Sequence, residues 1–266
     1  PVTSTPPLSS GQRSVIRIME RGDLDRLHLV EEPRSAPEPD EVEIGVRATG
    51  LNFRDVLNAL GMYPGDAGAL GSECAGIITR VGENVTGLKP GDAVVALAGD
   101  SLASHVTVSQ RFVLAKPDCI TFAEAVTLPN TYLTAALCYS MAGGIKPGQR
   151  ATGGEGVDIV INALSGDMIY AGMRVIRPGG AFMEIGKNNI WTPQEAAERA
   201  PHVNYHIVDL GDQIIVDPKQ VRTSFQSILD AISEGELAPL PVQAFSLAKA
   251  KDAFRFMANK PYDCPL

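Results

Sequence analysis

The chain has 266 residues, 44% of them hydrophobic and 20% charged, with a formal net charge of −8. The apolar content is enough to bury a core, so a disordered chain is excluded, and the acidic balance supplies no basic surface for nucleic acid. At about 150 residues per domain the length fits one to two domains, and no apolar run approaches the ~18–20 residues that cross a bilayer.

The N-terminal PVTSTPPLSSGQR has no apolar core and reads as a linker rather than a signal peptide. SVIRIM at 14–19 reads as a strand. EVEIGVRA at 41–48 sets Val42, Ile44 and Val46 on one face, the period-two pattern of a half-buried strand. From 71 to 115, short apolar runs alternate with Gly, Asn and Pro-Gly, which predicts short antiparallel strands joined by tight turns. The first ~115 residues therefore form a twisted, partly closed β-rich domain. Near Phe122 the pattern changes. Thr121 followed by Glu124 is a capping box that opens a helix. Leu133, Leu137 and Met141 recur at helical spacing after Pro129, and the Gly143–Gly144 pair ends that helix.

VDIVINAL at 157–164 is a continuous apolar run, as expected of a strand buried on both faces of a parallel sheet. The helical MIYAGMRVI, the turn RPGG and a second strand, AFMEIGK, complete a β-α-β unit. SFQSILDAISEGEL and KAKDAFRFMANK are further amphipathic helices. One break stands out. GIKPGQR runs directly into ATGGEGVDIVIN, and no G-x-G-x-x-G turn exists anywhere in the chain. A dinucleotide-binding sheet needs such a turn to receive the pyrophosphate. About two βα units, roughly 60 residues, are wanting there. Either a stretch is omitted between Arg150 and Gly153, or the protein lacks that half.

GLNFRDVLNALGMYPG (50–65), LGSECAGIITRVGENVTGLKPGDAVVALA (70–98), LPNTYLTAALCYSMAGGIKPGQR, GVDIVINALSG, RPGGAFMEIGK and DAFRFMA together resemble the medium-chain reductase superfamily. Within it they resemble the enoyl reductase domains of modular polyketide synthases. The resemblance runs from about residue 12 to 258, and NFRDV with the G-x-Y-P turn is its most specific part. It departs from the family in three ways. The glycine-rich segment after PGQR is missing. With it go the residues for a cofactor 2′-phosphate and the Lys and Asp proposed in relatives as proton donors. The chain also ends in NKPYDCPL where relatives carry a further strand.

The resemblance implies an α/β fold. A GroES-like β-rich substrate domain spans 1–128 and is rejoined by 239–266. A Rossmann-type cofactor domain spans 129–238, incomplete between Arg150 and Gly153, with the active cleft at the junction. It implies NADPH as cofactor. The partners are an acyl carrier protein with its tethered enoyl substrate and neighbouring synthase domains. The setting is cytoplasmic, without nucleic acid or membrane, and homodimerisation is left open.

Zinc alcohol dehydrogenases of the superfamily have His in a G-H-E turn and clustered cysteines. Here the turn is Gly71-Ser72-Glu73-Cys74, and Cys74, Cys119, Cys138 and Cys264 are scattered, so no metal is expected. The same scatter argues for free thiols in a reducing compartment rather than a disulfide framework. A conjugated double bond needs no Lewis acid, because hydride attacks an already electrophilic β-carbon. The resemblance places the Tyr63 phenol near that bond, to protonate the α-carbon or to bind the thioester oxygen. A packing role for its ring is the alternative. Asn52 lines the nicotinamide pocket in relatives, while Arg54 and Asp55 are expected to form a structural pair. Thr134 is expected near the cofactor. Strand tips of parallel sheets face ligands, which selects Asn162, Ala163, Leu164, Ser165, Gly186 and Lys187 as further cofactor-binding candidates. Lys187 is read equally as a phosphate or substrate contact and as a solvated loop lysine.

The leading function is NADPH-dependent reduction of an enoyl thioester on a carrier protein, with hydride to Cβ and a proton to Cα. The alternatives are a stand-alone quinone or enone reductase, a variant that traps the carbanion intramolecularly, and a non-catalytic structural domain.

Overall fold

Alternating apolar residues build the first layers of the fold. In the computed structural model, which describes residues 11–144 and 156–259, β1 (Gln12–Ile18) pairs antiparallel with β2 (Leu27–Pro33). A five-stranded antiparallel sheet follows, made of β3 (Glu41–Thr49), β4 (Glu73–Val81), β5 (Ala93–Leu97), β6 (His105–Ser109) and β7 (Val113–Ala115). Its strand order is β6-β3-β4-β5-β7. Between β3 and β4 lies the short helix α1 (Phe53–Ala59).

The inward face of this sheet carries Val42, Ile44, Cys74, Ile78, Val94 and Val106 in one core cluster. The alternation in β3 suggests water on its other face, but Glu43 there is only 1% exposed. The Arg34 and Arg80 guanidiniums and the Thr79 hydroxyl all donate to its carboxylate. Burial works against that charge, yet these donors hold Glu43 well below the usual carboxylate range.

Thr121 and Glu124 cap α2 (Phe122–Ala125) reciprocally, as the spacing predicts, and α3 (Pro129–Met141) follows. Gly143 and Gly144, both left-handed, end α3, with Gly144 N–H donating to the Tyr139 carbonyl at 2.8 Å. Then come β8 (Val157–Asn162), α4 (Asp167–Arg174) and β9 (Ile176–Glu184), a parallel β-α-β unit. RPGG does not form a separate turn. It lies inside β9 as an irregularity where Val157 pairs with Ile176 but Ile159 already pairs with Ala181. The remaining elements are α5 (Pro193–Arg199), β10 (Asn204–Ile207), α6 (Leu210–Val216), α7 (Pro218–Ser233) and α8 (Ala250–Asn259). β10 extends the parallel sheet to the order β10-β9-β8.

Contacts divide the chain into two units, Pro1–Asn130 with Arg222–Leu266, and Thr131–Val221. In the first, Val56, Ala59, Leu70, Leu102 and Phe254 form a second core that fastens α8 to α1. In the second, Ile169, Met173, Phe182 and Trp191 pack on the sheet. β8 departs from expectation. Its continuous apolar run predicts burial on both faces, yet Val157–Val160 are half-buried and Ile161 is 40% exposed. Among the described residues β8 is an edge of its sheet, so no neighbouring strand covers it. The break between Arg150 and Gly153 lies outside the described residues, as do the N-terminal linker before Gly11 and the terminal KPYDCPL with Cys264.

Candidate active site

Asn52 precedes α1, and its backbone N–H donates to Asp55 Oδ2 at 3.0 Å, closing the first turn. The other Asp55 oxygen accepts the Gly71 N–H at 2.8 Å. Asp55 thus ties the end of the loop after α1 back to the start of the helix. Asn58 Nδ2 donates to the Gly68 carbonyl at 2.9 Å, and Arg54 donates to the Ala67 carbonyl. Arg54 and Asp55 make no direct hydrogen bond or ion pair, although the guanidinium charge still favours the ionised Asp55 carboxyl. Each side chain instead laces the 61–71 loop to α1, which satisfies polar groups that the loop would otherwise strand. Gly71 sits at φ +83°, and a Cβ there would come within 2.5 Å of Ser101 Oγ, so both conformation and space demand glycine.

Tyr63 rides on this laced loop. Its N–H donates to the Leu57 carbonyl at 3.2 Å, and the Arg54 guanidinium lies 5.7 Å from its ring centroid. The ring is half-buried, and its hydroxyl has no partner among the described residues.

Glu73, 3% exposed at the start of β4, gathers the polar side chains beside α1. Its Oε1 accepts Asn52 Nδ2 at 2.9 Å, and its Oε2 accepts the Asn130 backbone N–H at 2.8 Å. Both amides also reach Ser72 Oγ, Asn130 Nδ2 at 2.7 Å and Asn52 Nδ2 at 3.3 Å. Gly50 makes room for the carboxylate, since a Cβ there would lie 2.2 Å from Oε1. Burial raises Glu73 above the ordinary carboxylate range, against the hydrogen bonds from Asn130 and Asn52, and Asp55 is raised by the same cause. Behind the turn, burial pushes the Cys74 thiol up to about 12, so it is an inert packing group.

In the other unit, Thr134 is half-buried on α3. Asn162, at the end of β8, is buried and donates through Nδ2 to Glu184 Oε2 at 2.8 Å and to the Leu164 carbonyl at 2.7 Å. Ala163, Leu164 and Ser165 follow it on the surface. Glu184 Oε1 accepts the Gly186 N–H at 2.7 Å, so one buried carboxylate fixes the tips of β8 and β9 together. Lys187 is not a free loop lysine. Its Nζ pairs with Asp209 Oδ2 at 2.5 Å. Burial would lift Asp209, but the bond from Lys187 holds it below its usual range. Sequence patterns alone assign no role to Ser72, Glu73, Asn130 or Glu184. The signal available was a Glu inside an apolar strand, at Glu73 and again at Glu184, which needs buried partners.

Two family models match the chain, an alcohol dehydrogenase GroES-like domain over residues 38–137 and a zinc-binding dehydrogenase over 134–261. A solved structure of CurK enoyl reductase is 31% identical, with a TM-score of 0.86, and the match covers 92% of this chain and 96% of that one. The chain belongs to the enoyl reductase domains of polyketide synthases, within the medium-chain dehydrogenase/reductase superfamily. The CurF ER cyclopropanase from the curacin A pathway is 26% identical with the same TM-score of 0.86, covering 92% of this chain and 96% of that one. A phenolphthiocerol/phthiocerol polyketide synthase polypeptide of Mycobacterium tuberculosis is 32% identical, over 94% of this chain and 14% of its own length. The enoyl reductase chain thus spans less than a fifth of that curated relative. Their alignment runs over 318 residues, whereas 94% of 266 is about 250, so about 68 of its positions have no counterpart here. That is close to the two βα units wanting after Arg150.

The zinc in the second family model's description does not fit this donor set. Ser72 replaces the turn histidine, and among the described residues no group of three or more His, Cys, Asp or Glu could hold a metal. The nicotinamide cofactor implied by the fold fits in part. Small exposed residues after β8, at the carboxyl end of a parallel sheet, leave the main chain approachable by a nicotinamide ribose. The glycine-rich turn that takes a pyrophosphate is not in the sequence. Among the described residues no helix is long and apolar enough to cross a membrane.

Proposed function

We propose that this reductase domain saturates the α,β double bond of an enoyl thioester carried on an acyl carrier protein, using NADPH, beside neighbouring domains of a polyketide synthase. NADPH, when bound, supplies a hydride for the β-carbon. The chain's own residues do the rest. Asn52, Thr134, Asn162, Ala163, Leu164, Ser165, Gly186 and Lys187 bind the cofactor, and Asn162 and Gly186 are pre-set for this by Glu184. Tyr63 delivers a proton to the α-carbon. The observation that carries this reading is the uncommitted Tyr63 hydroxyl on a loop braced by three side chains of α1. Tethering to a carrier raises the effective substrate concentration, so the domain needs no deep polar pocket to capture it.

A specific observation favours a second reading, a non-catalytic structural domain. The pyrophosphate turn is absent from the sequence. NADPH fluorescence on binding, followed by oxidation at 340 nm with crotonyl-pantetheine, separates the two. Saturable binding with turnover supports the reductase. Neither, in folded protein, overturns it in favour of the structural domain.

A further inference from the structure

Ser72 Oγ receives two amide N–H groups, from Asn130 Nδ2 at 2.7 Å and Asn52 Nδ2 at 3.3 Å. The orientation of both amides is set by Glu73. The Asn52 amide donates to Oε1 at 2.9 Å and the Asn130 backbone N–H donates to Oε2 at 2.8 Å, so both carboxyl oxygens act as acceptors, and the Asn130 side-chain amide bonds to the same group. Turning either amide over would aim its carbonyl oxygen at that carboxylate. A hydroxyl has two acceptor lone pairs and one proton. With both lone pairs occupied, the Ser72 proton must take the remaining tetrahedral direction. No acceptor among the described residues meets it there, and Ser72 is only half-buried. The network therefore holds a single O–H donor in a fixed direction, at the turn where zinc relatives hold a metal ligand.

We propose that the Ser72 hydroxyl donates a hydrogen bond to the carbonyl oxygen of the enoyl thioester. This rests on the enoyl-thioester reading above and deepens it by dividing two roles. Hydride addition at Cβ moves the C=C π pair toward Cα and the carbonyl, so negative charge gathers on the thioester oxygen. Ser72 stabilises that charge and transfers no proton. Tyr63 gives its phenolic proton to Cα as the carbonyl re-forms, and water reprotonates the phenolate. A donor already aligned by two amides reorganises little as charge develops, which is the property that makes such groups effective.

The test uses crotonyl-pantetheine carrying a ¹³C carbonyl, bound without cofactor, and reads the carbonyl stretch by difference infrared spectroscopy. On the unaltered protein the band moves to lower frequency than in water. In Ser72→Ala the shift is lost. Ser72→Cys, which keeps the volume but donates weakly, retains only part of it and serves if the alanine variant fails to fold. In turnover, Ser72→Ala lowers kcat by about 10²-fold, with KM little changed, because the bond strengthens in the transition state. An equal shift in the unaltered protein and in either variant overturns the Ser72 assignment alone. Failure of the thioester to bind the unaltered protein overturns the enoyl-thioester reading and this assignment with it. A shift lost in the variants of a protein that does not oxidise NADPH supports Ser72 and counts only against the turnover.

Discussion

Glu184 Oε2 accepts a hydrogen bond from Asn162 Nδ2 at 2.8 Å, linking the last residues of two adjacent parallel strands. Glu184 is fully buried, and burial raises its carboxyl above the usual range, against the donors Asn162 and Gly186. A carboxyl raised on folding stabilises the fold fully below its unfolded pKa of ~4.3, and the contribution is lost as pH rises through the folded value. Glu184→Gln turns one acceptor into a donor that faces another N–H, which costs about 1–3 kcal/mol. Urea midpoints at pH 5 and pH 8 should show a lower midpoint for the variant and a smaller fall between the two pH values. Part of the fall remains, because Asp55 and Glu73 are raised too.

Gly50 is held to glycine by Glu73 rather than by backbone conformation. A Cβ would lie 2.2 Å from Oε1 and 2.7 Å from both Cγ and Cδ of Glu73. Gly50→Ala must push that carboxylate away from Asn52 and the Asn130 N–H. Overpacking of this kind costs about 1–3 kcal/mol. The loss should appear in the urea midpoint and should shrink in a Glu73→Ala background, where the clash is gone. Additive effects of the two substitutions would mean that Gly50 matters for another reason.

Local rules made several elements legible. Thr121 and Glu124 cap α2 by three-residue spacing alone, and the apolar run, helix and second run of β8-α4-β9 fold as a right-length parallel unit. The site network is different in kind. Asn130 reaches Ser72 across 58 positions, Arg80 reaches Glu43 across 37, and no periodicity encodes either contact. Arg54 and Asp55 are sequence neighbours, yet each is committed to the loop that folds over α1. For β8 the run of apolar residues foretells burial on two faces, but burial needs a covering strand. Among the described residues no further strand lies beyond β8 in its sheet.

Glu43 should govern acid stability in the opposite sense to Glu184. Its folded pKa is depressed, so its contribution is present above the unfolded value of ~4.3 and is lost as pH falls through the folded one. Glu43→Gln leaves Arg34 and Arg80 without their shared carboxylate. Breaking a buried pair costs about 3–5 kcal/mol, and the lower end applies because both arginines keep some contact with water. Denaturant melts at pH 7 and pH 3 should find the variant weaker at both, with a gap that narrows at pH 3 but does not close, because the folded carboxyl is still ionised there. A constant gap across that range would mean that packing, not charge, sets the loss.

Tyr63 separates its ring from its hydroxyl in a way that a mutation pair can read. The ring faces Arg54 at 5.7 Å, a contact worth about 0.5–1 kcal/mol at a partly exposed site, while the hydroxyl bonds to no described residue. Tyr63→Phe should therefore leave the urea midpoint unchanged, and Tyr63→Ala should lower it. If the phenol supplies the α-carbon proton, the phenylalanine variant loses at least about 10²-fold in kcat, the usual scale for a positioned proton donor. Crotonyl-pantetheine turnover followed at 340 nm gives that ratio, and deuterium incorporation at Cα from D₂O shows whether the residual product is still protonated on one face. A variant within twofold of the unaltered rate, with the same stereochemistry at Cα, would remove Tyr63 from the proton path and leave its ring as the part of the residue that the loop needs.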